Sequence, residues 1–376
     1  MPTARAIYVH IPFCVAKCHY CGFTSFPGQE SLHQQYVSAL KEEIALAESL
    51  SPVSTIYFGG GTPTTLSAEQ LASILSAIFE SFDVESTAEI TLEANPGTID
   101  LDKAMALRRA RFNRISLGVQ SLDDRRLRKI GRIHTSQEAL DAYRAVRQAG
   151  FENVSIDLIF ALPTQTLAEW QNTLDRAVQL NPEHGSLYEL SIEEGAKFAQ
   201  AYKAGLLVMV DEDTRLAMYE TAIAALIGAG YEHYEVSNFA KPNFRSRHNQ
   251  VYWKNESYFG FGAGAVRYLE GIRSAMTTSV EDYISRIQQG LDPADSCEEL
   301  TGRALMGETI MLGLRTSDGV DLRAFEERFS ISLLEAYDDV LPVLYNDRLI
   351  DLTDTHLRLT HKGLLMADRV AAEFIV

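Results

Sequence analysis

Cysteine is scarce in this chain, with four among 376 residues. Three of them fall in one run, Cys14-Val-Ala-Lys-Cys18-His-Tyr-Cys21, which leaves only Cys297 elsewhere. That distribution argues against a disulfide framework, because three clustered thiols cannot pair off evenly. A second Cys pair, which most structural zinc sites need, is also missing. Basic charge is in deficit: 34 Lys and Arg face 51 Asp and Glu, a net −17. Such a balance excludes a surface built to hold nucleic-acid phosphates. No stretch approaches the ~20 apolar residues of a membrane span. The start, Met1-Pro-Thr-Ala-Arg5, runs straight into an apolar segment, without the hydrophobic stretch and cleavage site of a secretory signal. Unpaired thiols and no export signal predict the reducing cytoplasm. Neither a low-complexity tract nor a sequence repeat is present.

What is there reads as alternating strands and helices. Apolar strand-like segments at 7–11, 55–58, 89–93, 114–118, 154–159 and 187–192 alternate with helical patterns at 32–50, 67–82, 101–110, 122–148 and 167–179. Ser67 and Gln70 have the spacing of a capping box. Strand-then-helix succession implies a parallel sheet with crossover helices. Curled into an arc, six units give an α/β fold, a partial (β/α)6 TIM-like barrel. A helix then runs from Asp211 to Ile227, followed by a segment 230–236. A loop rich in Asn, Arg, His and aromatic residues is expected over 237–261. Helices at 304–314, 322–328 and 333–344, a hairpin at 349–352 and 356–359, and a last helix from Lys362 predict a smaller winged-helix-like α+β tail. The division is a core, 1–235, a connecting segment, 236–300, and a C-terminal domain, 301–376.

The chemistry-bearing residues gather at strand C-terminal ends: Cys14, Gly60, Glu93, Gln120 and Asp157. A (β/α) barrel places its active site there. Three thiolates at the Cys14 spacing can hold three irons of a 4Fe–4S cluster and leave the fourth iron open for chemistry. The competing reading is a zinc knuckle that borrows His19 or His10 as a fourth ligand. Gly59-Gly60-Gly61-Thr62-Pro63 follows a strand and opens toward a helix, so it can expose backbone to a ligand. By itself it reads equally as a flexible turn. It is no phosphate loop, since no Gly-Lys-Ser/Thr follows. Within the basic run Arg125, Arg126, Arg128, Lys129, Arg132, most of which reads as a solvated helix face, only Arg132 is given a specific role. His10, His19 and His134 read as groups that orient backbone or ligand, Cys297 as a buried or incidental thiol, and Tyr231, Tyr234 and Phe239 as packing residues.

The combination Tyr8-Val-His10-Ile-Pro12-Phe13-Cys14-x3-Cys18-x2-Cys21 with Gly-Gly-Gly-Thr-Pro resembles the radical S-adenosylmethionine enzymes. Within them the chain is similar to the oxygen-independent coproporphyrinogen oxidase group. Leu92-Glu93-Ala-Asn95-Pro96-Gly97, Gly118-Val-Gln120-Ser121, Gly131-Arg132-Ile-His134, Asp157-Leu-Ile-Phe-Ala-Leu-Pro163 and Tyr258-Phe-Gly260-Phe-Gly262-Ala-Gly264-Ala265 agree with it. The resemblance spans nearly the whole chain. It implies that Cys14, Cys18 and Cys21 bind the cluster, and that Tyr8, Tyr20, Gly60, Gly61, Thr62, Glu93, Gln120, Arg132, Asp157 and Val266 line the S-adenosylmethionine site. It also implies an electron donor and reductive cleavage of the sulfonium. Taken singly, Arg132, Glu93 and Asp157 read as a surface arginine, a strand-end carboxylate and a cap.

Two departures separate the chain from the oxidases. They carry a further cysteine two residues after the third cluster ligand, where this chain has Phe23, and an extra segment ahead of the cluster motif. His248-Asn249-Gln-Val-Tyr252-Trp253 instead matches the signature of the HemW-type haem chaperones. That resemblance implies haem as bound cargo, with His248 as an axial ligand beside Tyr252 and Trp253, and apo-haemoproteins such as respiratory enzymes as acceptors. For these residues alone, the alternative is a structural loop in which His248 hydrogen-bonds locally.

Overall fold

Near-continuous apolar runs become strands because both faces of a parallel sheet are covered. In the computed structural model, which describes residues 3–375, six such runs lie side by side in chain order: β1 Ala6–Ile11, β2 Val53–Gly60, β3 Val84–Ala94, β4 Arg114–Gln120, β5 Asn153–Phe160 and β6 His184–Glu189. All five pairings are parallel. The crossover helices carry their start signals in the sequence. Ala68–Ser81 begins with the Ser67/Gln70 capping box, Ser136–Gln148 with Thr135/Glu138 and Leu167–Leu180 with Thr166/Glu169. The buried face of each packs on the sheet; Trp170, fully buried, donates its indole N–H to Met218 O at 2.9 Å.

The sheet does not close on itself. Phe259–Phe261 extends it in parallel beyond β1, while Asn238–Ala240 and Glu232–Glu235 add antiparallel strands beyond β6. Residues of β2 through β6 nevertheless line one cavity, which requires the sheet to curl into an arc. The expected partial barrel is present, with its strand C-terminal ends at the mouth of that cavity.

Several expectations change. The sixth strand begins at His184 rather than 187, because His184-Gly185-Ser186 is polar in sequence yet pairs with β5. The expected loop over 237–261 holds two sheet strands and a helix, Arg247–Trp253. The segment 236–300 is therefore woven into the main sheet, and it adds an antiparallel sheet of Val266–Leu269, Ile272–Met276 and Ala294–Glu299. The helix expected at 333–344 is two, Leu333–Ala336 and Leu341–Asn346, with Pro342 in the first turn of the second. Cys297 is exposed, with Sγ 3.4 Å from Ser274 Oγ. In the tail, Val320–Asp321 joins the expected hairpin as a third strand, over a separate core of Ile310, Phe325, Tyr337, Leu357 and Phe374. Among the described residues, no helix is long and apolar enough to cross a membrane.

Candidate functional site

The cysteine loop leaves the end of β1 and is pinned at both ends, since Phe13–Cys14 pairs in parallel with Phe26–Pro27. Cys14, Cys18 and Cys21 all line the central cavity, whose volume is about 480 Å³. Cys14 Sγ lies 3.5 Å from Thr62 Oγ1, and Arg132 Nη1 donates to Cys18 Sγ at 3.6 Å. The glycine loop is packed against these thiols. A Cβ on Gly61 would stand 2.6 Å from Phe13 O and 3.0 Å from Cys14 Sγ, and Gly60, at φ +113°, leaves no room against the His10 ring.

The zinc alternative loses one of its two candidate fourth ligands, His10. His10 is held at both ring nitrogens, by Tyr8 OH and Thr24 O at 3.0 Å each, and His19 Nδ1 contacts Lys129 O at 3.1 Å. Among the described residues, no three Cys, His, Asp or Glu side chains converge as a single ion requires. Three thiols around a cavity mouth, one beside a guanidinium, are instead the donor set of a cube with a free corner.

Behind the thiols stands a polar wall. Arg132 is fixed by Asn95 Oδ1 and by Gly118 O, the latter at 2.6 Å, and Asn95 Nδ2 donates to Thr62 Oγ1 at 2.7 Å. Gln120 has a left-handed backbone (φ 63°), and its buried Oε1 has no partner. An orphaned acceptor on a strained residue marks a place where a ligand would complete the bonding. Glu93 accepts from Tyr57 OH at 2.7 Å. Burial, reinforced by Asp157, pushes its carboxyl up to about 7 against the pull of the Tyr57 hydroxyl. Asp157 accepts from Ser116 Oγ at 3.0 and 3.1 Å and from Ser155 Oγ at 3.3 Å, with its carboxyl raised by burial.

Of the expected cofactor residues, Tyr20, Gly60, Gly61, Thr62, Glu93, Gln120, Arg132 and Asp157 share the central cavity with the three cysteines. Tyr8 and Val266 do not; they line an adjoining cavity of about 350 Å³ with Tyr252 and Tyr258. Gly22 and Phe23 border both, and Phe23 is 69% exposed. Reading the sequence alone missed Asn95, Arg114, Ser116 and Ser186. Asn95 reads as a turn residue and Ser186 falls just ahead of the expected strand at 187–192, while Arg114 and Ser116 lie in the expected strand 114–118, where a polar residue in an apolar run was an available signal. Arg114 is 2% exposed, and its Nε has no partner.

The expected haem residues require a correction. His248 is fully buried within the barrel, where Nδ1 meets Thr55 Oγ1 at 2.9 Å and Nε2 meets Tyr252 OH at 2.8 Å. Both ring nitrogens are occupied, so this arrangement offers no lone pair to a haem iron. Burial and the Arg114 charge hold the ring at about 3, well below its ordinary value. Trp253 lies under the Arg315 guanidinium, 5.0 Å from the ring centre. The local hydrogen-bonding alternative describes this segment, as a helix rather than a loop.

Residues 8–177 match the family model of the radical SAM superfamily, and residues 300–366 that of the HemN C-terminal domain. The chain is 37% identical to the haem chaperone HemW of Bacillus subtilis, covering 99% of both chains. It is 38% identical to that of Lactococcus lactis, covering 99% of this chain and 97% of the relative. Among solved structures it resembles the coproporphyrinogen III oxidase HemN of Escherichia coli, a radical SAM enzyme, with TM-score 0.86 and 25% identity over 100% of this chain and 91% of that one.

Proposed function

The chain belongs to the HemW family within the radical S-adenosylmethionine superfamily, and from that membership we propose that it is a haem chaperone that binds haem and delivers it to apo-haemoproteins. The observation that carries this is likeness to bacterial haem chaperones along the entire length, tail included. Superfamily membership implies a 4Fe–4S cluster and S-adenosylmethionine as cofactors. Cys14, Cys18 and Cys21 would hold the cluster. When bound, the pair supplies one-electron cleavage of a sulfonium.

The chain's own residues bind and orient. Arg132, held at the cluster rim, pairs with the carboxylate of the methionine moiety. Glu93 and Asp157 accept from its amino group or from ribose hydroxyls. Gly60, Gly61 and Thr62 offer backbone and hydroxyl, Gln120 its free oxygen and Tyr20 its ring, while Tyr8 and Val266 border the adjoining cavity. The acceptors in this reading are apo-haemoproteins such as respiratory enzymes, the protein works in the cytoplasm, and an electron donor serves the cluster. Core 1–235 carries most of the cofactor machinery, and Asn249 reaches the same cavity from the segment 236–300.

Structural likeness to the oxidase supports a second reading, oxidative decarboxylation of coproporphyrinogen III. Phe23, standing where the oxidases have a fourth cysteine, supports the first. The two separate in one anaerobic comparison on the reconstituted protein. Haem titration with transfer to an apo-acceptor succeeds and no protoporphyrinogen forms if it is a chaperone. Turnover of coproporphyrinogen without haem transfer refutes the proposal.

A further inference from the structure

The helix Arg247–Trp253 fills the barrel floor, at the end opposite the cysteines. Glu89, on β3, accepts from the backbone N–H groups of Arg247 and His248 at 3.2 and 3.1 Å. Asn249 reaches the central cavity and lines it. From this helix two buried routes lead to the two carboxylates of the cofactor pocket.

The first route runs through aromatic packing. The His248 ring is locked by Thr55 and Tyr252 and stacks on Tyr57, with centroids 5.1 Å apart and planes 28° apart. Tyr8 also stacks on Tyr57, with ring centroids 6.2 Å apart. Packed against these two rings, Tyr57 directs its hydroxyl to Glu93 Oε1 at 2.7 Å.

The second route is a chain of hydrogen bonds. Ser246, which caps the helix, donates its N–H to Tyr234 OH at 3.2 Å. Tyr234 OH lies 2.7 Å from His184 Nε2, His184 Nδ1 lies 2.8 Å from Ser155 Oγ, and Ser155 Oγ is 3.3 Å from Asp157 Oδ1. Ser155 has one proton to give. If the buried carboxylate takes it, His184 must donate from Nδ1 and accept at Nε2, and Tyr234 must be the donor to Nε2. Every group then has one direction, and the imidazole stays neutral; burial, helped by Arg114, holds it well below its ordinary value.

We propose that this helix is the positioning floor of the cofactor pocket, orienting Glu93 through Tyr57 and Asp157 through Tyr234, His184 and Ser155. The His248-Asn-x-x-Tyr252-Trp253 signature then serves S-adenosylmethionine binding. The proposal rests on the reading that Glu93 and Asp157 contact that cofactor. Tyr57 borders the central cavity, whereas Tyr234, His184 and Ser155 do not line it; all four act on the cofactor through a carboxylate and are positioning residues.

The test uses the full chain, anaerobically reconstituted, and measures S-adenosylmethionine affinity by equilibrium dialysis. A second readout is the change in the reduced cluster's paramagnetic resonance on adding the cofactor. The variants are Tyr57→Phe, Tyr234→Phe, Glu93→Gln, Asp157→Asn and the pairs Tyr57→Phe/Glu93→Gln and Tyr234→Phe/Asp157→Asn. Each tyrosine variant removes one hydroxyl and keeps its ring, and each is expected to weaken binding roughly tenfold, about the worth of one buried hydrogen bond. In the paired variants the second change adds no further loss, because both act through the same carboxylate. A purely structural role would lower affinity in the pairs by the full sum, with iron content falling alongside. Parent-like binding in both tyrosine variants, or fully additive losses, overturns the proposal while leaving the carboxylate reading intact. Parent-like binding in Glu93→Gln and Asp157→Asn overturns both.

Discussion

At the scale of single residues, the pocket is set by a few buried ionisable groups whose charge depends on surroundings. Glu93 is the clearest. Burial pushes its carboxyl to about 7, so its charged form is lost as pH falls through that value. A cationic amino group held by ionised Glu93 should therefore bind more weakly below neutrality, by roughly tenfold between about pH 8 and about pH 6. Equilibrium dialysis across that range checks this. Glu93→Gln should bind weakly at every pH and lose the slope. Arg114 lies in the same interior and draws both Glu93 and Asp157 downward, so neither carboxylate is left without a nearby cation. Neither Arg114 nor the serines that bond Asp157 stood out in the sequence, because a strand that reads as buried gives no hint of which polar side chain faces a cavity.

Among the elements, those with local signals were legible and those made by distant pairing were not. β1 to β5 announce themselves by apolar runs, and the Ser67/Gln70 cap fixes the start of its helix. Phe259–Phe261 and Asn238–Ala240 are three residues each and exist only because β1 and β6 offer open edges. Arg247–Trp253 is polar on most positions, since what it packs against is the polar interior of the barrel, so no amphipathic period marks it. The glycine loop was legible by composition, and its reason is steric. Gly61→Ala would press a methyl onto Phe13 O and Cys14 Sγ. The variant should cost roughly 1–3 kcal/mol and lower iron incorporated per chain, as read by metal analysis and thermal melting. Unchanged iron content would show that the loop does not shape the cysteine site.

For the molecule as a whole, one arc-shaped sheet gathers residues separated by more than a hundred positions, such as Cys18 and Arg132, into a single cavity. The ordered motifs made that gathering foreseeable from sequence, while the burial of His248 was not, because a signature names residues without saying which way they face. The account therefore stands on the three thiols at the cavity mouth and the vacant corner they leave. Mössbauer spectroscopy of protein reconstituted with isotopically enriched iron, with and without S-adenosylmethionine, examines this most directly. The account predicts a 4Fe–4S spectrum in which one iron site alone shifts when the cofactor is added, and loss of that spectrum in Cys18→Ala. A zinc-loaded protein with no cube, or a cube whose irons are all indifferent to the cofactor, would contradict it.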